Sequence, residues 1–338
     1  MSSILGKVAI VTSLLVFFAG ANSLTVGAAA GKTAEKSAWL AYWDLDAGVK
    51  DLKSVERNLE KLSYFGAYFD QDDKFFIPKE LVAKKDECQD KKRQYETYLT
   101  FVNDKQNADG SVAVKDIEVL RRIFADDAAM EKHIDEIVAL TLQGGFDGIE
   151  IDYERIWKDA AIGQSFLRFA GKLYAQALKN NLKLRIVLEP GTPFSTADFF
   201  KGPEYVVMFY NLYGLHSGPG PKANQAFIKK LAARMQALPG ERTAAFSTGG
   251  CVWGDNGEKR FLTEAEAKKL AVLHQREPKR DEESQCLVFL YQDKGVLYQV
   301  WYADVQTLNY WTAIVRKQAI NKISLWRLGG NVDIQHIK

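Results

Sequence analysis

Residues 145–154 read GFDGIEIDYE and carry acids at alternate positions, Glu150, Asp152 and Glu154. Side chains two residues apart in a β-strand share a face, so these three carboxyl groups form one column about 6.5 to 7 Å apart. The opposite face carries Ile149, Ile151 and Tyr153. Clustered carboxylates repel one another, so one of them keeps its proton to a higher pH and is suited to general acid catalysis. The competing interpretation is a solvated acidic face on an edge strand.

Short apolar runs alternate with amphipathic stretches on both sides of this segment, which is typical of repeated β-α units. The pattern predicts an α/β protein with eight strands, the number that closes a (β/α)8 TIM barrel. Catalytic groups in such barrels lie at the carboxyl ends of strands, where the acid column falls. The predicted strands are 38–43, 64–69, 98–103, 148–152, 184–188, 205–210, 243–248 and 322–326.

Helices are predicted between these strands at 54–62, 128–142, 162–178, 224–238 and 303–318. The interval between the seventh and eighth strands is longer than the others and predicts a small α+β insertion at about 250–303. Thr263 and Glu266 form a capping-box pattern that begins a helix over 263–274. The segments 286–291 and 296–301 flank a turn at Asp293, Lys294 and Gly295, which indicates a hairpin.

Composition excludes several classes of function. The 338 residues are 47% hydrophobic, and 45 Lys and Arg are scattered among 43 Asp and Glu, so the net charge is +2. This balance argues against nucleic acid as a partner and suits a neutral polysaccharide better than a polyanion. An aromatic content of 12% supplies flat apolar faces for sugar rings. The histidines lack metal-ligand spacing, so neither a metal nor a cofactor is expected: His133, His216, His274 and His336.

The amino terminus has the pattern of a secretory signal peptide in residues 1–23, with Lys7 before an apolar run over 8–18 and small residues after it. The run is shorter than the ~20 residues that span a bilayer, so we expect cleavage, near Ser23 or as late as Ala30, and no stable membrane insertion afterwards. A buried core helix is the alternative. The predicted organisation is a linker over 24–37 and a catalytic barrel over 38–338 in a secreted or cell-envelope protein.

Three cysteines allow at most one internal disulfide, and Cys251 with Cys286 is the first pairing to test because both lie in the predicted insertion. The third, Cys88, lies far from them in sequence. The chain is therefore not a disulfide-built scaffold, whichever pairing holds.

The octapeptide DGIEIDYE resembles the D-G-x-D-x-D-x-E signature of glycoside hydrolase family 18, the chitinase-type family. Asp147, Gly148, Asp152 and Glu154 match that signature, and Glu150 stands where Asp is usual. The resemblance implies a TIM barrel and a retaining mechanism in which the substrate's own acetamido oxygen replaces a protein nucleophile.

Other segments agree with this resemblance in order and position, over residues 39 to 330. YVVMFYN at 205–211 is similar to the family's sixth strand, and SLWRLGG at 324–330 to the eighth, whose Trp lies under the sugar. GLHSGPGPKAN at 214–224, with VWY at 300–302, resembles the branch that contains bacterial spore-cortex and cell-wall N-acetylglucosaminidases.

The resemblance assigns roles residue by residue. Glu154 is the implied general acid and base, Asp152 orients the acetamido group, and Tyr210 binds its oxygen. Glu150 is the implied partner of Asp152, either sharing its proton or shifting its rotamer and pKa. Trp326 stacks under the sugar. Further substrate-binding candidates are Asn211, Met208, Asp147, Tyr42, Tyr213 and Glu189. Candidate sugar platforms are Tyr213 and two further aromatic residues, Trp43 and Trp253.

The sequence therefore predicts a secreted, monomeric hydrolase of β-1,4-linked N-acetylglucosamine-containing glycans. Chitin and peptidoglycan, and endo and exo cleavage, stay open because loop shape decides both. One alternative is a carbohydrate-binding protein on the same barrel with weak or no catalysis. Another is a divalent-metal phosphodiesterase that uses the acid column as ligands, although the chain lacks companion histidines near strand ends.

Overall fold

A computed structural model describes residues 33–88 and 93–338. The predicted signal peptide over 1–23 lies outside the described residues, as does most of the predicted linker over 24–37. Strand β1 already begins at Glu35, within that linker. None of the helices in the described part of the chain is long and apolar enough to span a bilayer.

The strands of the described residues are numbered here in chain order. They are β1 (Glu35–Ala41), β2 (Lys61–Phe69), β3 (Phe75–Phe76), β4 (Glu96–Gln106), β5 (Val112–Ala113), β6 (Gly148–Asp152), β7 (Lys183–Leu188), β8 (Glu204–Met208), β9 (Glu241–Ser247), β10 (Gly249–Gly254), β11 (Lys259–Leu262), β12 (Lys279–Arg280), β13 (Leu287–Asp293), β14 (Val296–Ala303) and β15 (Lys322–Trp326).

The described strands include eight that close a parallel barrel in chain order, β1, β2, β4, β6, β7, β8, β9 and β15. The ring closes because β1 pairs with both β2 and β15, and β4 bridges β2 to β6. These are the eight strands that the sequence predicts, and the fourth and eighth have the predicted bounds. The (β/α)8 prediction is confirmed.

Helices cover the outside of the barrel. They are α1 (Leu45–Val55), α2 (Lys79–Cys88), α3 (Ile117–Ile123), α4 (Asp127–Gln143), α5 (Ala160–Lys179), α6 (Gln225–Met235), α7 (Glu264–Leu273) and α8 (Val305–Arg316). The helix predicted at 54–62 is wrong. Helix α1 ends at Val55, and Leu62 belongs to β2, because the turn after β1 is short enough for the helix to begin at Leu45.

The predicted insertion forms a second sheet in the order β11-β10-β14-β13-β12. Strands β13 and β14 are the predicted hairpin: β13 begins one residue later and extends two residues further into the turn, and β14 extends two residues further at its outer end. Thr263 caps α7, with the Thr263 and Glu266 side chains each bonded to the other's backbone amide. The chain enters this sheet directly after β9 and returns to the barrel through α8. The sheet therefore lies beside the carboxyl end of the barrel.

The two faces of β6 lie in different environments, as the alternation predicts. Ile149 and Ile151 belong to the core between barrel and helices. Glu150 and Asp152 face the barrel interior, where a separate apolar cluster fills the space: Trp39, Phe65, Tyr68, Val102, Val187, Val206, Met208, Tyr210 and Ala245. Strand β6 therefore presents its acids to the barrel interior and its isoleucines to the helices.

Candidate active site

A cleft of about 440 Å³ opens at the carboxyl ends of the barrel strands. The predicted sugar platform Trp43 lines it, and so do six of the predicted catalytic and substrate-binding residues: Asp152, Glu154, Met208, Tyr210, Asn211 and Trp326. Each of these six lies at or just beyond the end of β6, β8 or β15. The barrel thus brings together six residues that are up to 174 positions apart in the chain.

Glu154 lies two residues beyond the end of β6 and is held by the end of β4. Its backbone amide donates to Asn103 Oδ1 at 2.9 Å, and Asn103 Nδ2 donates back to the Glu154 carbonyl at 3.1 Å. The Glu154 Oε2 atom forms an ion pair with Lys115 Nζ. Burial raises the pKa of Glu154, and Lys115 opposes that rise without cancelling it. The carboxyl group is therefore poised to give and take a proton.

Asp152 is buried at the base of the cleft. Its Oδ1 atom has no hydrogen-bond partner among the described residues, although it is shielded from solvent. Burial and the negative charge of Glu154 raise the pKa of Asp152 well above its ordinary value, against the opposing effect of Lys115. A buried polar atom without a partner is costly, so this oxygen is available for a donor on a bound ligand.

The cleft has an aromatic wall on one side. The Trp326 ring lies 4.8 Å from Phe65 and 6.4 Å from Trp43, measured between ring centroids, and all three line the cleft. Tyr210 is also buried there, and burial beside Asp152 raises the pKa of its phenol far above the ordinary range. Tyr210 therefore stays neutral and able to donate a hydrogen bond.

Glu150 lies outside the cleft lining, deeper in the barrel. Its carboxylate accepts from Trp39 Nε1 at 2.5 Å, Ser63 Oγ at 3.0 Å and Thr100 Oγ1 at 2.7 Å. It also pairs with Arg185 Nη1 at 2.9 Å. With its lone pairs occupied in this way, Glu150 is not free to share a proton with Asp152. Its negative charge still contributes to the raised pKa of Asp152.

The prediction that Asp147 binds substrate is wrong. It precedes β6, so it lies at the amino end of the strand, about 16 Å along the chain from Asp152. Its Oδ2 atom accepts from the Thr97 amide at 2.7 Å and from Arg93 Nη2 at 3.0 Å. Asp147 therefore ties β6 to β4 at the opposite end of the barrel from the cleft, and it is not placed to bind substrate.

Four other predicted candidates lie outside the cleft lining. Tyr42 packs edge-on against Trp43 at 5.3 Å and against Tyr68 at 5.5 Å, measured between ring centroids. Tyr213 packs against Gly220 in the loop after β8. Glu189 accepts from the Arg155 amide at 2.7 Å and adds negative charge near Glu154. Trp253 is buried in the insertion and donates to the Gly214 carbonyl, so it is not a sugar platform.

The structure also adds cleft residues that the sequence analysis missed. The charged ones are Asp104, Lys115, Lys222, Glu266 and Arg327. Asp104 lies near the end of β4, and Lys115 lies on the hairpin that follows it. Lys222 comes from the loop after β8, and Glu266 comes from the insertion. Lys222, Glu266 and Arg327 lie in segments that the sequence patterns single out, but those patterns do not indicate that the three side chains face the cleft. Arg327 pairs with Asp44. It follows Trp326 directly, and this position next to a predicted cleft residue is the sequence signal that could have identified it.

Cys251 and Cys286 are both buried free thiols, so the pairing suggested from sequence is not formed. Within residues 33–88 and 93–338, no group of three or more His, Cys, Asp or Glu side chains is arranged to hold a metal ion.

This closed barrel, with acids at the end of its fourth strand and a tryptophan at the end of its eighth, has the fold of chitinase-type enzymes. The Bacillus cereus spore cortex-lytic enzyme SleL superposes with a TM-score of 0.73 at 18% identity, over 88% of this chain and 72% of that one. A class V chitinase from Pseudomonas fluorescens Pf-5 gives a TM-score of 0.71 at 18% identity, over 89% and 97% of the two chains.

In sequence, the chain is 22% identical over 261 residues to the uncharacterized glycosylase YvbX of Bacillus subtilis (strain 168), covering 72% of this chain and 74% of that protein. No family model matches the chain. The solved structures share the barrel fold at 18% identity, and the names of these relatives agree with the chitinase-type resemblance that the octapeptide indicates.

Proposed function

We propose that the protein is a retaining glycoside hydrolase that cleaves β-1,4-linked N-acetylglucosamine-containing glycans by substrate-assisted catalysis. The observation that carries this proposal is the pair formed by Asp152 and Glu154 at one end of the cleft. Asp152 offers a buried oxygen without a partner, and Glu154 offers a carboxyl group held near a cation. The names of the relatives, a chitinase, a glycosylase and a cortex-lytic enzyme, support the same class of reaction.

The unpartnered Asp152 Oδ1 atom is suited to accept the acetamido N–H of the sugar at the cleavage point. With the amide so oriented, its carbonyl oxygen attacks C1 and forms the new C1–O bond of an oxazolinium-like intermediate. The glycosidic C1–O bond breaks, and its electron pair stays on the leaving oxygen, which takes the proton of Glu154. No protein nucleophile takes part in this route.

The second half of the reaction reverses these roles. Water attacks C1, its proton passes to the Glu154 carboxylate, and the bond from C1 to the acetamido oxygen breaks to restore the amide. The configuration at C1 is retained because C1 undergoes two successive displacements, each of which inverts it. Tyr210 donates a hydrogen bond to the acetamido oxygen, and Trp326 gives the apolar face of the sugar a flat surface to stack on.

We also propose where the enzyme works. The signal-peptide pattern over 1–23 and the nature of the relatives' targets suit action outside the cell or in its envelope, on chitin oligomers or peptidoglycan, by a monomer. The cleft is bordered on one side by the insertion, through Phe261, Leu262 and Thr263. We therefore assign the choice between those polymers to this insertion.

The test is turnover of labelled N-acetylglucosamine oligomers by the purified chain, with binding measured in parallel. Turnover with retained configuration at C1 supports the proposal. Binding without turnover would favour the alternative of a carbohydrate-binding protein on the same barrel. A thiazoline analogue of the cyclised sugar should inhibit competitively, whereas a covalent glycosyl adduct on a protein carboxylate would contradict the substrate-assisted route.

A further inference from the structure

Lys115 reaches Glu154 from a hairpin that neither the family motif nor the barrel requires. Strand β5 folds back on the end of β4, with Ala113 opposite Lys105, and Lys115 follows it in the left-handed region at φ 58°. The Lys115 amide donates to Asp104 Oδ1 at 2.7 Å. The next amide, that of Asp116, donates to the Asn103 carbonyl at 2.7 Å. These bonds fix the backbone of Lys115 against the strand end that also holds Glu154.

The other charged and titratable groups around Glu154 come from every neighbouring strand end, and most are acidic. Asp152 lies on β6, Asp104 on β4, Glu189 after β7 and the Tyr210 phenol after β8. Arg155, the next residue, directs its guanidinium to the Val114 carbonyl. Among the described residues, Lys115 is the one cation within ion-pair distance of the Glu154 carboxylate.

We propose that Lys115 is a positioning residue that stabilises the ionised form of Glu154 and thereby sets the upper pH limit of the reaction. This inference rests on the proposed function, since it concerns the same proton donor. Lys115 itself stays protonated, because burial lowers its pKa but the nearby carboxylates, those of Glu154, Asp152 and Glu189, together outweigh that effect and leave the pKa raised.

The Lys115 ammonium group can assist both steps of the proposed reaction. When Glu154 gives its proton to the leaving oxygen, a negative charge develops beside three other acids, Asp152, Asp104 and Glu189. A fixed ammonium group stabilises that charge as it forms, which strengthens the acid in the first step. The same ammonium keeps Glu154 ionised for the second step, in which it takes a proton from water.

Three variants separate this role from a structural one. Lys115→Met removes the cation and keeps most of the side chain's volume, and Lys115→Arg keeps the cation. Lys105→Met is the matched control, because Lys105 lies at the base of the same hairpin and pairs with Asp73, outside the cleft. The measurements are the pH profiles of kcat and kcat/KM, and a carboxyl ¹³C titration of Glu154 assigned by its loss in Glu154→Gln.

In Lys115→Met we expect the Glu154 carboxyl to titrate about one to three pH units higher, the usual effect of losing a close opposite charge. The upper limb of the kcat/KM profile should move with it, and kcat on its plateau should fall about tenfold. Lys115→Arg should restore both, and Lys105→Met should change neither.

An unchanged Glu154 titration in Lys115→Met would overturn the inference, as would an equal shift in Lys105→Met. The ¹³C titration needs no substrate. If the wild-type chain fails to cleave any N-acetylglucosamine oligomer, the proposed function fails, while the titration still decides whether Lys115 controls the ionisation of Glu154.

Discussion

Arg185 and Glu150 are directly opposed on the neighbouring parallel strands β7 and β6, and they form a fully buried ion pair of 2.9 Å inside the barrel. Arg185 Nη1 and Nη2 also donate to Ser63 and Ser37. Glu204 lies 3.6 Å from Arg185 Nε and 2.9 Å from Lys61. Burial alone would raise the pKa of Glu204, but Arg185 and Lys61 hold it at about 2. The layer beneath the cleft is therefore an ionised network.

Glu150→Gln should destabilise the protein by about 3 to 5 kcal/mol, because it leaves Arg185 without a full counter-charge in a site closed to water. Urea unfolding followed by circular dichroism measures the change. The double variant Glu150→Leu with Arg185→Met removes both charges and should recover part of the loss. A cost below 1 kcal/mol for Glu150→Gln would mean that the pair contributes little to the fold.

Asp152→Asn should lower kcat about 100-fold or more, since the amide no longer supplies the negative oxygen that orients the acetamido group and stabilises the positive intermediate. Affinity for the thiazoline analogue should fall with it. Asp147→Asn is the matched control in the same octapeptide. Because Asp147 bonds to Thr97 and Arg93 at the other end of β6, that variant should lose stability and keep kcat within about twofold.

Trp326→Ala should raise KM about tenfold, because it removes the ring on which a sugar stacks and widens the cleft beside Phe65 and Trp43. Steady-state kinetics and oligomer binding both measure this effect. Trp326→Phe keeps a ring and should recover most of the affinity. Equal KM values for Trp326→Ala and the wild type would remove Trp326 from the binding site.

His133 makes the fold sensitive to acid. It is buried between aromatic rings, bonds to the Tyr153 hydroxyl at 2.8 Å, and burial lowers its pKa to about 3. The unfolded chain binds this proton near pH 6.5, so stability is full above that pH and is lost as the pH falls towards 3. The slope of about 1.4 kcal/mol per pH unit predicts a loss of about 3 kcal/mol by pH 4.5.

His133→Phe should flatten that part of the stability curve, measured by urea unfolding from pH 7 to pH 4. Glu131 lies on the exposed face of the same helix, so Glu131→Gln is a control that should leave the slope unchanged. An unaltered slope in His133→Phe would assign the acid sensitivity to other groups.

Patterns along the chain predict the barrel well because its signals are local. Alternation predicts β6 at Gly148–Asp152, and the capping box predicts that α7 begins directly after Thr263. Site residues are predicted correctly where they lie at the end of a barrel strand and face the cleft, as Glu154, Tyr210 and Trp326 do. The strand KLRIVL does not reveal the partner of Arg185, because the pairing of Arg185 with Glu150 depends on strand register.

Lys115 has no such signal. Its position beside Glu154 depends on how the hairpin after β4 folds back, and the sequence of that hairpin specifies turns without specifying what they face. Lys115 was missed, whereas Asp147 was wrongly assigned to the site. Asp147 matches the motif, but a motif match alone does not show that a residue lies at the cleft end of the strand.

The most direct test of the central claim is hydrolysis of labelled N-acetylglucosamine oligomers by the wild type and by Glu154→Gln. Removing the proton donor should lower kcat by about 100- to 10,000-fold while oligomer binding is retained. Turnover by Glu154→Gln within a few fold of the wild-type rate would contradict the assignment of Glu154 as the general acid and base.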